Sequence, residues 1–239
     1  MPRAPASWSD PRLAGTRFHD VRWFDVVDST NHYLLERAAE GAREGIVAVA
    51  YEQTAGRGRL GRTWVAAPGS ALLVSVLLRP QLPPDRVHLL TLAAALAVID
   101  VLPGVDARLK WPNDVVVDDR KLAGILAEAD GAGAIVVGMG VNVRSDGLAP
   151  EVRETAAACD VDRHELLVAW LCRLHTRLDA LDDTVPDAIA RSATLGRHVR
   201  VELARETFEG TARALTEEGY LVVDDRIVTA GDVIHLRAD

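Results

Sequence analysis

The sequence predicts an α+β fold, a mixed and largely antiparallel sheet with helices packed on it, followed by a small all-β module. Three observations carry this. Strand-like and helix-like stretches intermingle up to residue 195, four short strands in a row from Ala107 to Val141 pattern as an antiparallel meander, and after Gly196 only short strands separated by turn residues remain.

Val21 to Val27 alternates as a strand, and Asp28-Ser29-Thr30-Asn31 offers capping side chains before a helical stretch from Tyr33 to Ala42. Ile46 to Tyr51 is a β-branched, apolar run, a buried strand that enters the Gly/Arg loop Gln53 to Thr63, and Ala71 to Leu78 is the next buried strand. Asp85 to Leu102 has the length and apolarity of a core helix, with Pro83-Pro84 before it and Pro103-Gly104 closing it. The meander comprises Ala107 to Trp111, Val115 to Val117, a turn at Asp118-Asp119-Arg120, Leu122 to Ala129 and Ala134 to Val141. Arg163 to Leu181 carries Leu166, Leu167, Trp170, Leu171, Leu174 and Leu178 at helical spacing, and Pro186 to Thr194 is a candidate second helix. Beyond Gly196, His198 to Leu203, Thr207 to Leu215, Tyr220 to Val223, Ile227 to Thr229 and Val233 to Leu236 suit a β-barrel, small enough to need packing on the first domain.

Composition narrows the function classes. At 239 residues and 49% hydrophobic content the chain can fill a sizeable core. It has no apolar run of membrane-spanning length and no signal-peptide pattern over Met1 to Asp10, so a cytoplasmic protein is expected. The net charge of −8 argues against a general nucleic-acid binder. Cys159 and Cys172 lack metal-ligand spacing and read as small buried thiols. The 27 basic residues include only two lysines, Lys110 and Lys121, a pair that is either a chance cluster or a sign of sites needing a compact ammonium.

Three motifs carry chemistry. Gly56-Arg57-Gly58-Arg59-Leu60-Gly61-Arg62-Thr63-Trp64 alternates glycines, which let backbone approach a ligand, with arginines, which offer bidentate donors to phosphate or carboxylate. It lacks the Lys-Ser/Thr of a phosphate-binding P-loop, and its GxGxxG match opens no helix. Lys110-Trp111-Pro112-Asn113-Asp114 is followed by Lys121-Leu122-Ala123-Gly124-Ile125-Leu126. There Asp114 is either a magnesium ligand or a turn former, Asn113 can position a phosphate, and Gly124 permits close approach beside Lys121. Gly138-Met139-Gly140-Val141-Asn142 thins a strand, leaving either a flat surface for a purine or a plain bulge.

In this order these motifs resemble the signature series of biotin protein ligases, over about residues 20 to 239. The resemblance implies a class II synthetase-like catalytic domain, residues 1–195, and an SH3-like barrel, residues 196–239. It implies that biotin and ATP react with Mg²⁺ to give biotinyl-5'-AMP, from which biotin passes to a lysine of the carboxyl carrier domain of an acyl-CoA carboxylase. Ser29, Thr30, Asn31, Gln53, Gly56, Gly58 and Gly124 then line the biotin pocket with Arg57, Arg59 and Lys121, and the last three are catalytic. Arg57, Arg62, Trp64, Lys110, Asn113 and Asn142 border the nucleotide, and Asp114 the metal.

Only about twenty residues precede the first strand, so the helix-turn-helix of the family's repressors is not expected, nor are DNA or membrane partners; a monomer or weak homodimer is. The chain also departs from the family's Thr-Ser-Leu near the nucleotide, reading Glu154-Thr155-Ala156-Ala157. A lipoate ligase or octanoyltransferase, for which a serine- and glycine-rich signature is expected in place of the Gly/Arg loop, and a non-catalytic biotin sensor are the rival readings. The glycines of the loop make its ordering entropically costly, so it is expected to be mobile when empty and to fold over the adenylate.

Overall fold

The computed structural model describes residues 5–102 and 104–236; the predicted helix stop at Pro103 lies outside the described residues. Eight strands form one mixed sheet in the order β1-β2-β3-β4-β8-β7-β6-β5. They are β1 (Ala6–Trp8), β2 (Asp20–Val27), β3 (Ile46–Gln53), β4 (Ala71–Leu78), β5 (Arg108–Lys110), β6 (Asp114–Val117), β7 (Arg120–Ala129) and β8 (Ile135–Asn142). The predicted meander is the run β5 to β8, and all its pairs are antiparallel. The single parallel pair, β2 with β3, follows from the helix α1 (Thr30–Ala39) that crosses between them. This helix begins three residues before the predicted Tyr33, because Ser29 itself is its N-cap and accepts from the His32 amide.

Alternation along the strands sorts side chains onto two faces. Val47 and Val49, Leu72 and Val74, and Val137 and Val141 pack with α2 (Leu89–Asp100) and α3 (Arg163–Asp179) into the larger core. Ala48 and Ala50, Leu73 and Leu77, and Val136 face α1 and its Leu34 and Ala38. The helix predicted from Asp85 is instead a 3-10 turn at Pro84–Arg86 followed by α2, consistent with the fixed backbone of two successive prolines. A shorter α4 (Thr184–Ala190) keeps Pro186 in its first turn, where no amide is missed.

Five further strands, β9 (His198–Glu202), β10 (Thr207–Leu215), β11 (Leu221–Val223), β12 (Arg226–Val228) and β13 (Asp232–His235), make a second antiparallel sheet. A register shift at Ala212/Ala214 lets β10 serve β9 with its first half and β11 with its second. This sheet docks on the first through Trp111, whose indole N–H donates to Gly219 O at 3.1 Å, through Tyr220 stacked on His88, and through Thr194 beside His235. Cys159 and Cys172 are free thiols, half-buried, and burial pushes both up from the usual thiol range. No helix among the described residues is long and apolar enough to cross a membrane.

Candidate active site

The α1 face of the sheet is hollow where the opposite face is packed. A cavity of about 830 Å³, open mouth included, lies between the N-terminus of α1, strands β4, β7 and β8, and the Gly/Arg loop. Its floor is polar. The Thr30 amide and hydroxyl both donate to Gln53 Oε1, at 2.8 and 2.9 Å. The hydroxyl of Ser75, fully buried in the middle of β4, is 2.7 Å from Thr30 Oγ1 and 2.6 Å from Asn31 Oδ1. It has one proton and can satisfy one of them at a time, so the floor can exchange a hydrogen bond by rotating that hydroxyl without moving a heavy atom. Asn31 donates to Leu126 O and to Glu128 Oε2 and lies hard against Gly138, where an added Cβ would be 2.0 Å from its oxygen.

Lys121 reaches this face through a fault in the ladder. Val115 pairs with Ala123 but Val116 pairs with Lys121, so Leu122 is an extra residue, and both Leu122 and Ala123 point into the larger core. The bulge changes the parity of the strand and aims Lys121 into the cavity beside Gly124 instead of into the apolar layer. Its ammonium lies 2.7 Å from Asp114 Oδ1, an ion pair without the alignment of a hydrogen bond. The backbone of Lys121 is clamped from the other side. Its amide donates to Thr155 O, its carbonyl accepts from Ala157 N, and Asn142 Nδ2 donates to both Lys121 O and Ala157 O. The Glu154-Thr155-Ala156-Ala157 segment is thus a brace for Lys121.

The loop forms the roof. Gly56 O accepts from Trp64 N so closely that a Cβ at Gly56 would lie 2.4 Å from Trp64 O, which reserves the position for glycine. All three arginines hold protein groups. Arg57 pairs with Glu128 at 2.9 Å, Arg59 donates to Asn113 Oδ1 and to Gly231 O, and Arg62 pairs with Asp232. Burial lowers the Arg59 pKa from the usual guanidinium range, and the hydrogen bond to Asp232 raises that of Arg62. The Trp64 indole lies over Gly140, its N–H without a partner among the described residues, and the Lys121 ammonium sits 5.7 Å from the ring centre.

Most residues singled out from sequence therefore meet at one cavity: Ser29, Thr30, Asn31 and Gln53 in the floor, Asn113, Asp114, Lys121 and Gly124 in the wall, and Gly58, Trp64 and the three arginines above. Gly56, Lys110 and Asn142 are outside its lining. Gly56 shapes the loop, Asn142 braces Lys121, and Lys110 acts electrostatically on His235 and Asp119 at the seam with the second sheet. Sequence reading passed over Ser75, Glu128 and Asp232. A lone serine in the eight-residue apolar run of β4 was a signal for the first; nothing local marks Asp232, which is 170 residues from Arg62.

Residues 23–145 match the profile of the Biotin/lipoate A/B protein ligase family, and residues 194–236 match the Biotin protein ligase C terminal domain. A biotin–[acetyl-CoA-carboxylase] ligase of Mycobacterium tuberculosis is 40% identical, over 90% of this chain and 90% of its own. The chain belongs to the biotin/lipoate A/B protein ligase family. Another relative, the biotin–[acetyl-CoA-carboxylase] ligase of Paracoccus denitrificans, is 33% identical over 82% of this family member and 90% of its own length. The biotin protein ligase of Aquifex aeolicus, solved in complex with biotin and ATP, superposes with a TM-score of 0.79 at 27% identity, covering 92% of this chain and 100% of its own. The mixed α+β sheet with its C-terminal antiparallel companion is shared with that structure.

Proposed function

We propose that this chain is an ATP-dependent biotin protein ligase whose cavity joins biotin to ATP as biotinyl-5'-AMP and passes biotin to a lysine of the carboxyl carrier domain of an acyl-CoA carboxylase. The carrying observation is that the Ser29-Thr30-Asn31 junction and residues of all three chemical motifs converge on one cavity in a member of this family. In the first step a biotin carboxylate oxygen bonds to the α-phosphorus of ATP and the bond to pyrophosphate breaks. In the second, the carrier amine bonds to the acyl carbon, AMP leaves with the anhydride electrons, and the amine gives up a proton.

The first step brings two anions together. At ~4 Å and an effective dielectric of about 20, two unit charges repel by about 4 kcal/mol, roughly a thousandfold in rate. Lys121 is the cation fixed in the wall, and in the second step it faces the developing oxyanion. Arg59 and Arg62 supply the rest when phosphate or carboxylate replaces their present partners, Asn113 with Gly231 and Asp232, while Arg57 keeps Glu128 on one nitrogen and offers its remaining N–H groups. Ser29, Thr30, Asn31 and Gln53 offer the mixed donors and acceptors that suit the ureido ring of biotin, with Gly56, Gly58 and Gly124 leaving room for its chain. Trp64 offers a stacking face for the base, Asn113 lies at the phosphates, and Lys110 and Asn142 act at second remove.

A resident metal fits these residues poorly. Asp114 is already paired with Lys121, and no cluster of three metal-binding side chains occurs among the described residues. Mg²⁺ would enter with ATP, held mainly by substrate phosphates, and Asp114 would be the carboxylate available beside it. In this reading residues 1–195 are catalytic and residues 196–239 are an SH3-like barrel. One chain lines the whole cavity, so a monomer suffices, and the need for ATP and a carboxylase substrate suits a cytoplasmic location.

The test is incubation with biotin, ATP and a carrier domain, followed by blotting for covalent biotin. Lys121→Arg is expected to keep its circular dichroism spectrum and lose adenylation by at least about a hundredfold, since a guanidinium fork does not fit the space of an ammonium pressed between Asp114 and Gly124. Pyrophosphate release at the wild-type rate in that variant would remove Lys121 from the mechanism.

A further inference from the structure

We propose that Glu128 is the positioning residue that couples the floor of the cavity to the Gly/Arg loop, so that closure of the roof depends on what the floor holds. The inference rests on the functional reading above. Glu128 follows Gly124 and Leu126 on the cavity face of β7, its side chain only 19% exposed. Its two oxygens are divided: Oε1 lies 2.9 Å from Arg57 Nη2 on the loop, and Oε2 accepts from Asn31 Nδ2 at 2.8 Å on α1. No other side chain bridges floor and roof in this way among the described residues.

Asn31 transmits rather than absorbs a push. Its second amide hydrogen goes to Leu126 O at 3.2 Å and its oxygen accepts from Ser75, so turning the amide over would set oxygen against the Leu126 carbonyl and the Glu128 carboxylate. It cannot retreat either, because Gly138 is in contact behind it. A displacement of Asn31 by a ligand on the floor is therefore passed to the Glu128 carboxylate and so to Arg57. The Arg57 end is half-exposed, and an ion pair so open to solvent is weak. A weak contact at the end of a stiff chain is suited to be made and broken within each turnover.

Glu128→Gln separates the two ends, since the amide oxygen still accepts from Asn31 while Arg57 loses its charge partner. Trypsin, with Arg57, Arg59 and Arg62 as its sites, reads the loop. In ligand-free protein the variant is expected to be cut there about fivefold faster than wild type, a change within reach of one half-exposed pair. With biotin and ATP the wild type becomes protected, while the variant stays within about twofold of its ligand-free rate. Free biotinyl-5'-AMP released per biotinylated carrier rises about tenfold, with biotin affinity within about threefold of wild type. Raising NaCl from 0.05 to 1 M, with rates corrected on a peptide substrate, should speed loop cleavage of the wild type more than that of the variant, in which only the Arg62–Asp232 pair is left to screen.

Equal cleavage and equal adenylate escape in the two proteins would overturn the proposal, and so would loss of biotin binding at unchanged loop cleavage, which would place Glu128 in the floor alone. If the variant fails to fold, Arg57→Gln removes the same pair from the loop side, and its ligand-free cleavage at Arg59 and Arg62, expected to rise by the same roughly fivefold, decides. If the wild type makes no adenylate, the functional reading falls, and the ligand-free cleavage still judges the clasp.

Discussion

The two faces of the large sheet are written by alternate residues of the same strands, yet they are opposite in kind. Toward α2 and α3 the layer is continuous aliphatic packing, with Leu72, Val74, Val76, Val137 and Val141 all at or near zero exposure. Toward α1 the same strands present Ser75, Gly138 and Gly140, and the helix answers with Thr30 and Asn31. One face carries the apolar burial that holds the fold, while the other gives up side-chain volume to make a binding surface. A mutation should therefore move stability or activity according to the parity of its position or the layer it packs in.

The largest effect is expected on the packed side. Trp170 of α3 is fully buried, and its indole N–H donates to Ala94 O of α2 at 3.1 Å. Trp170→Ala should cost about 3–5 kcal/mol of unfolding free energy, from lost burial, the cavity left behind and one lost hydrogen bond. Urea titration measures the loss. The folded fraction should still make adenylate at close to the wild-type rate per molecule, and a matching fall in rate would mean the faces are not independent.

The converse holds on the hollow side, with a smaller effect. Gly140 faces Gly124 across the β7–β8 ladder, and the Trp64 indole lies on both. A methyl group at Gly140 would lie 2.5 Å from the ring, so the indole and the roof it anchors must lift. Gly140→Ala should lower kcat/KM for adenylation by about tenfold while costing no more than about 1 kcal/mol of stability, at the low end of small-to-large changes because the displaced ring is on a loop. Gly124→Ala should do less, since its added carbon meets the flexible end of Lys121 at 3.0 Å.

How much of this was legible in the sequence follows the same division. Continuous apolar runs located β3 and β4, and the pattern of short strands and turns located β7 and β8, to within one or two residues, because such patterns are properties of each strand alone. The Gly/Arg loop and the Lys121 motif were readable as chemistry. Their geometry was not, because it depends on partners distant in the chain. Lys121 enters the cavity only through the bulge at Leu122, which Val115 and Val116 of the neighbouring strand define. The loop arginines, read as free for an anion, rest on Glu128, Asn113, Gly231 and Asp232, contacts spanning 54 to 172 residues. Strand β1 escaped notice because three residues show no period.

The seam between the two sheets resembles neither face, and it gives the mildest test. His235 on β13 has a side chain only 10% exposed, with Nε2 3.1 Å from Thr194 Oγ1. Burial, with help from the charges of Lys110 and Arg197 and against the pull of Asp119, lowers its pKa to about 4. In the unfolded chain the value returns to about 6.5, so between these limits the unfolded state binds a proton that the folded state refuses. The contribution of His235 is full above pH 6.5 and is lost as pH falls toward 4, at no more than about 1.4 kcal/mol per pH unit. Between pH 7 and pH 5.5 the wild type should lose about 1 kcal/mol more unfolding free energy than His235→Gln, which has no group titrating there. Parallel pH profiles of the two proteins in urea would show that the seam tolerates the imidazolium, and that Lys110 and Arg197 do not press on it.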